Sequence, residues 1–180
     1  MKRILSLILT AVMLLALAAC SSPAPTPEPS GEPMAGMPNP WSEYEKPDEA
    51  AEAAGVGTFE LPEDHLKTAA GQLDWQVYRA MKGMAEAIAY VGPAELRIRK
   101  GVRDNGDDIS GDYTEYTYDW TMDVGGTEIL CRGSEKGKTS TATWVTDNFA
   151  YSIHARSKED PEKTIGLDAD VIETLVNAVQ

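Results

Sequence analysis

The sequence predicts an α+β domain: a twisted antiparallel sheet, built as a meander of hairpins, with a short N-terminal helix and a C-terminal helix packed on one face. Three observations predict it. Apolar and polar residues alternate with period two in successive runs between Ala94 and Arg156, as half-buried strands require. Gly125-Gly126 and Asp147-Asn148 separate such runs as two-residue hairpin signals. Unambiguous helical stripes fall only outside that region, after Pro47 and after Asp168, and helices segregated from a run of strands pack on the sheet they flank.

The chain begins with Lys2 and Arg3, an apolar run from Ile4 to Leu17 interrupted only by Ser6 and Thr10, and the small residues Ala18 and Ala19. Residues 1–19 therefore read as a secretory signal peptide, too short for a spanning helix and followed by no basic stop-transfer flank. Leu17-Ala18-Ala19-Cys20 resembles the lipobox of bacterial lipoproteins, which implies that the Cys20 thiol takes a diacylglyceryl thioether and becomes the mature N-terminus. Two acyl chains at about 0.8 kcal/mol per buried CH₂ hold a soluble domain at a membrane. Ser21 to Pro40 contains seven prolines and almost nothing to bury, so residues 20–40 form a lipidated tether reaching up to roughly 60 Å. Residues 41–180 are expected to form a single domain.

Within that domain Pro47 suits a first helical position, Asp48 and Glu49 favour the helix dipole, Gly55 provides the stop, and Ala50, Ala53 and Ala54 make the buried stripe. "TFELPEDHL" reads as a short extended segment ending in a turn at Pro62. Residues 72–91 are ambiguous. Val77, Met81, Met84, Ala85 and Ile88 recur at helical spacing, yet Leu73, Trp75 and Val77 alternate, and Lys82-Gly83 could turn a hairpin. Ala94, Leu96 and Ile98 then alternate with Glu95, Arg97 and Arg99. In "YTEYTYDWTMDV" the residues Tyr116, Tyr118, Trp120, Met122 and Val124 share one face. "TEILCR", "TSTATWVT" and "FAYSIHAR" follow as strands. In the last segment Asp168 can cap a helix, Leu167 and Ile172 staple its entry, and Val171, Leu175, Ala178 and Val179 form its apolar stripe.

The formal charge of −13 deepens by two once Lys2 and Arg3 are removed with the signal peptide. Such a chain is repelled by nucleic acid and by anionic head groups, and favours a cationic partner or a divalent ion over an acidic partner. With Cys20 spent on lipid, Cys131 is the one thiol left, so no internal disulfide can form and the core must hold the fold.

Four short stretches carry a family resemblance: "NPW" at Asn39 to Trp41, the acidic-alanine helix ending at Gly55, "ISGDYTEY" at Ile109 to Tyr116, and "ATW" followed by "YSI" at Tyr151 to Ile153. Together they resemble an uncharacterised domain family of Gram-positive bacterial lipoproteins, distantly similar to lipoprotein-carrier-like domains. The resemblance implies a hairpin around Lys82-Gly83, and a fold more than an activity.

Chemistry-bearing clusters are few. Ser152 and His154 alternate onto one strand face, where an acid could complete a hydrolase triad, but no nucleophile elbow surrounds the serine. His65, after Glu63 and Asp64, has no second histidine at metal spacing. Asp104, Asp107, Asp108 and Asp112 could offer oxygens to calcium, although they depart from the EF-hand spacing and read more simply as an acidic loop. Cys131 alternates with Ile129 as a small buried residue. No enzyme activity and no cofactor are expected.

The sequence thus points to a domain lipid-anchored through Cys20 on the outer face of the bacterial cytoplasmic membrane, or on the outer membrane of a diderm host. It reads as a non-enzymatic binding or sensory module of the cell envelope, with an envelope protein or cationic partner. The alternative is a carrier or sensor of an apolar ligand held between sheet and helix.

Overall fold

The computed structural model describes residues 39–63, 65–103 and 107–179. The expected signal peptide, Cys20, the tether up to residue 38, and Asp104 lie outside the described residues. The strands are β1 (Ser42–Tyr44), β2 (Lys67–Thr68), β3 (Gly71–Met81), β4 (Met84–Val91), β5 (Ala94–Val102), β6 (Tyr118–Val124), β7 (Thr127–Gly133), β8 (Thr141–Val145) and β9 (Phe149–Ser157); the helices are α1 (Pro47–Ala54) and α2 (Ala169–Ala178). All nine strands join one open antiparallel sheet in the order β1-β3-β4-β5-β9-β8-β7-β6, with β2 also paired to β3, so the fold is broadly α+β.

Residues 72–91 form a hairpin, β3 and β4, turned at Lys82-Gly83 with Gly83 at φ 81°. The alanines that suit a helix by propensity serve a different purpose here. Ala85, Ala87 and Ala89 are fully buried and belong to the same apolar cluster as Ala50, Ala51 and Ala54 of α1, which lies against β3 and β4. Small residues on both surfaces let helix and sheet approach closely, and tertiary packing overrides local preference. A backbone bond from Gly83 N–H to the Ala54 carbonyl, 2.9 Å, ties the helix end to the hairpin turn.

The meander is interrupted once. After β5 the chain crosses to the far edge, enters β6, and returns through three hairpin-linked strands until β9 lies beside β5. The Gly125-Gly126 turn lies where the sequence places it; Asp147 and Asn148 fall within the wider turn between β8 and β9.

The register assigns every side chain to a face. Rows such as Ala87–Ile98–Ile153–Ala142–Cys131 run across one side, and Leu96, Ile98, Ile129 and Ile153 on it are fully buried. Each contributes about 1.5–3 kcal/mol of transfer free energy. Val171, Ile172, Leu175 and Val176 of α2 join the same cluster. The opposite side carries Arg79, Glu86, Arg97, Arg99, Ser152, His154, Thr141 and Arg132.

Four expected details change. Ala51 rather than Ala53 is buried in α1, and in α2 Val176 rather than Ala178 completes the buried stripe. Asp168 occupies the N-cap of α2 but its carboxylate makes no cap bond, taking Lys138 Nζ at 2.7 Å instead. Tyr116 lies outside β6, which starts at Tyr118; its hydroxyl donates to Asp112 Oδ2, holding it in the crossing segment.

Candidate functional site

The polar face is organised by two carboxylates, each held between two arginines. Glu86 on β4 is fully buried; Arg79 Nε on β3 donates to its Oε1 at 2.5 Å and Arg99 Nε on β5 to its Oε2 at 2.6 Å. Four residues further along the ladder, Glu95 Oε1 receives Arg97 Nε at 3.0 Å and Arg156 Nε at 2.8 Å. The pattern follows from the sequence, because charged residues alternate on β5 and the antiparallel register sets β9 and β4 partners beside them. Trp41 covers the first triad, with the Arg79 and Arg99 guanidinium carbons 4.7 and 5.7 Å from its ring centre.

The crossing segment is clamped onto this face. Arg99 donates to the carbonyls of Ile109 at 2.9 Å and Ser110 at 2.7 Å. Asp108 caps Ser110, accepting its N–H at 3.0 Å and its hydroxyl at 2.7 Å, and pairs with Arg132 at 3.0 Å. Asp112 accepts the hydroxyls of Tyr116 and Thr141, each at 2.5 Å, and the Thr114 N–H at 3.1 Å. Burial would raise the Asp112 pKa, but these bonds outweigh it and hold it down to about 2. Burial and the Asp112 carboxylate together push the Tyr116 phenol up to about 12. Ile109 inserts beside Met84 and Ala150, where Gly101 leaves room: a Cβ there would sit 3.2 Å from Ile109 Cδ1.

Ser152 and His154 do share this face, and His154 is more enclosed than a surface histidine. Its Nε2 lies 3.9 Å from Asp112 Oδ2, and burial lowers its pKa below the ordinary histidine value, Asp112 opposing and Arg97, Arg156 and Arg99 adding to the effect. Yet among the described residues neither Ser152 Oγ nor His154 Nε2, both buried, has a hydrogen-bond partner, so no proton relay links them. The nearest acid already accepts two hydroxyls on the oxygen facing the ring.

The acidic loop is not gathered around one point. Asp107 pairs with Arg103 at 2.9 Å, Asp108 with Arg132, and Asp112 with Tyr116 and Thr141. Among the described residues no three His, Cys, Asp or Glu side chains form a metal-holding group. His65, at φ 68°, bonds through Nδ1 to Gln72 Nε2 at 2.8 Å, in an exposed turn. The Cys131 thiol is fully buried and burial raises its pKa, which leaves it a weak nucleophile. A cavity of about 350 Å³ opens where β6–β9 meet α2, lined by Val124, Thr127, Trp144, Thr146, Tyr151, Val176, Asn177 and Val179; Trp144 and Tyr151 stack there with ring centres 5.2 Å apart.

What the sequence missed was the clamp. "ISGDYTEY" supplies nearly all of it, and the available signal was a run of short polar side chains following the arginines of β5. Compared with models of known protein families, with curated proteins and with solved structures, the chain gives no match.

Proposed function

We propose that the chain is a lipid-anchored extracytoplasmic domain of the bacterial envelope that acts as a non-enzymatic binding or sensory module. The observation that carries the non-enzymatic part is the commitment of the polar face. Glu86, Glu95, Asp108 and Asp112 each hold arginines, hydroxyls or backbone of this chain, and Ser152 and His154 are not joined to any of them by a hydrogen bond among the described residues. Helices covering one face of the sheet, and a clamped charged layer on the other, suit a scaffold that presents its rim and edges to a partner. Both helices covering the same face is part of this proposal, supported by their common apolar cluster.

The anchor rests on the Leu17-Ala18-Ala19-Cys20 stretch, as does membership of the lipoprotein domain family on the motifs quoted above. Metabolic labelling of cells with an alkynyl fatty acid tests it: the full chain takes the label and fractionates with membranes, and Cys20→Ser takes none. Persistent label on Cys20→Ser refutes the anchor. The second reading, an apolar-ligand carrier, is favoured by the cavity beside Trp144 and Tyr151. It requires saturable quenching of Trp144 fluorescence by an apolar probe, lost in Val176→Glu.

A further inference from the structure

Gly125 and Gly126, at φ 62° and 89°, close a two-residue hairpin between β6 and β7. In such a hairpin the pair flanking the turn, Val124 and Thr127, exchanges both backbone bonds, and the pattern alternates from there. Met122, Trp120 and Tyr118 therefore bond inward to β7. The N–H and C=O groups of Asp119, Thr121 and Asp123 point away from the sheet, and no described residue pairs with them, because β6 ends the strand order. The opposite edge is different: β1 and β2 cover part of β3, and the β3–β4 register shifts between Trp75 and Val77.

We propose that this β6 edge docks an extended basic segment of a partner protein, which adds a strand to the sheet and sets lysine or arginine against Asp119 and Asp123. Charge selects the occupant. Asp123 stands directly across from Glu128 on β7, and like charges so placed repel. Asp119 faces Arg132, but that guanidinium is paired with Asp108. A second copy of this chain pairing antiparallel about Thr121 would set Asp119 against Asp123 twice over, in a molecule of charge −13. The edge thus repels its own kind and attracts a cation, as protected edge strands do.

The side-chain pattern of the partner follows from the pleat. Residues opposite Asp119 and Asp123 are basic, and those opposite Trp120 and Met122 are apolar. Tyr118 is 40% exposed, and beside it a hollow of about 260 Å³ is lined by Tyr118, Asp119, Trp120, Lys136 and Gly137. Asp119 and Trp120 lie on opposite faces of β6, so the hollow opens around the edge itself and can seat an apolar side chain of the incoming strand. Main-chain bonds supply affinity and alternate side chains supply register.

The inference deepens the binding-module reading and rests on its binding half alone; Cys20→Ser, which tests the anchor, leaves peptide affinity unchanged, so the two can fail separately. The test is fluorescence anisotropy of a labelled Lys-Val-Thr-Val-Lys peptide, flanked by serines, with the full chain in detergent at physiological salt. Saturable binding is expected, with about tenfold weaker binding of the same-composition Val-Lys-Thr-Lys-Val peptide. Thr121→Pro removes an outward N–H without touching the β7 ladder and should weaken binding about tenfold or more. Asp119→Lys/Asp123→Lys should switch the preference to Glu-Val-Thr-Val-Glu, and serves also if the proline variant fails to fold. Equal binding of both lysine peptides, undiminished binding by folded Thr121→Pro, or no binding by the folded wild type would overturn the proposal. A dimer that Thr121→Pro dissolves would assign the edge to a second copy and overturn it equally.

Discussion

Glu86→Ala is expected to be among the most damaging single substitutions on the polar face. Its fully buried carboxylate is held by Arg79 and Arg99 at 2.5 and 2.6 Å, and those side chains are only 20% and 11% exposed. At an effective dielectric near 20 each charge pair is worth about 4 kcal/mol gross, offset by several kcal/mol of desolvation. Removing the acid leaves both guanidinium groups half-desolvated and facing one another, so the net loss should be about 3–5 kcal/mol. For a domain of this size that lowers Tm by about 10–15 °C. Urea denaturation of the wild type and Glu86→Ala, fitted with a common m-value, measures it. Replacing all three charges (Arg79→Met, Glu86→Leu, Arg99→Met) should cost less from this triad than Glu86→Ala alone, apart from the lost Arg99 bonds to Ile109 and Ser110. A loss below about 1 kcal/mol for Glu86→Ala would refute the reasoning, because it would mean the two arginines relax into water without the acid.

Asp112, held down to about 2, contributes stability that is full above the ordinary aspartate value of 3.8 and is lost as pH falls between the two. Asp112→Asn should therefore cost about 1–2 kcal/mol at neutral pH, after discounting for solvent screening, and flatten that limb of the acid-denaturation curve. His154 follows the same linkage sign in a higher pH window: with its folded pKa below the ordinary 6.5, the unfolded chain binds the proton first, so stability declines as pH falls from 6.5 towards the folded value. A proton-NMR titration of the His154 ring should give a midpoint below 6.5, and one above it would mean that Asp112 outweighs burial and the three arginines. Ser152→Ala removes a buried hydroxyl that has no hydrogen-bond partner among the described residues, so stability should be unchanged or slightly raised; a loss above about 1 kcal/mol would reveal a partner.

The parts of the fold legible in the sequence were those decided locally. Alternation on β5, the Gly125-Gly126 turn, Pro47 and Gly55 bounding α1, and Leu167 with Ile172 at the start of α2 need no knowledge of what lies across the sheet. Residues 72–91 were undecidable because their alanines are good in a helix and are selected here by the closeness of α1, a tertiary cause. The clamp in the crossing segment was illegible for a related reason. Its aspartates look like a cluster in one dimension, but Asp108 and Asp112 find a cation and a hydroxyl brought from other strands, Arg132 on β7 and Thr141 on β8, while Asp107 takes the nearby Arg103. The pairing of β5 with β9, which places Ser152 beside Arg99 and His154 beside Arg97, is likewise set by the long connection and by no local pattern.

That connection also explains why the outer face can be so charged. A sheet buried on one side must either leave the other to water or cover it, and this chain covers it with arginine. The stems of Arg79, Arg97, Arg99 and Arg156 lie across the strands while their forks are satisfied by Glu86 and Glu95. Arg99 also donates through Nη1 to the Ile109 and Ser110 carbonyls, so the layer that stabilises the face also fixes the route by which the chain reaches β6. Loosening the first triad should accordingly loosen the crossing segment and, through Asp108, the Arg132 end of β7. The charge balance at the β6 edge then changes as well: Arg132, released from Asp108, becomes free to neutralise Asp119 across the ladder. Edge and polar face are coupled through one guanidinium, and Asp108→Asn should weaken binding of the lysine peptide while leaving Thr121 and Asp123 untouched.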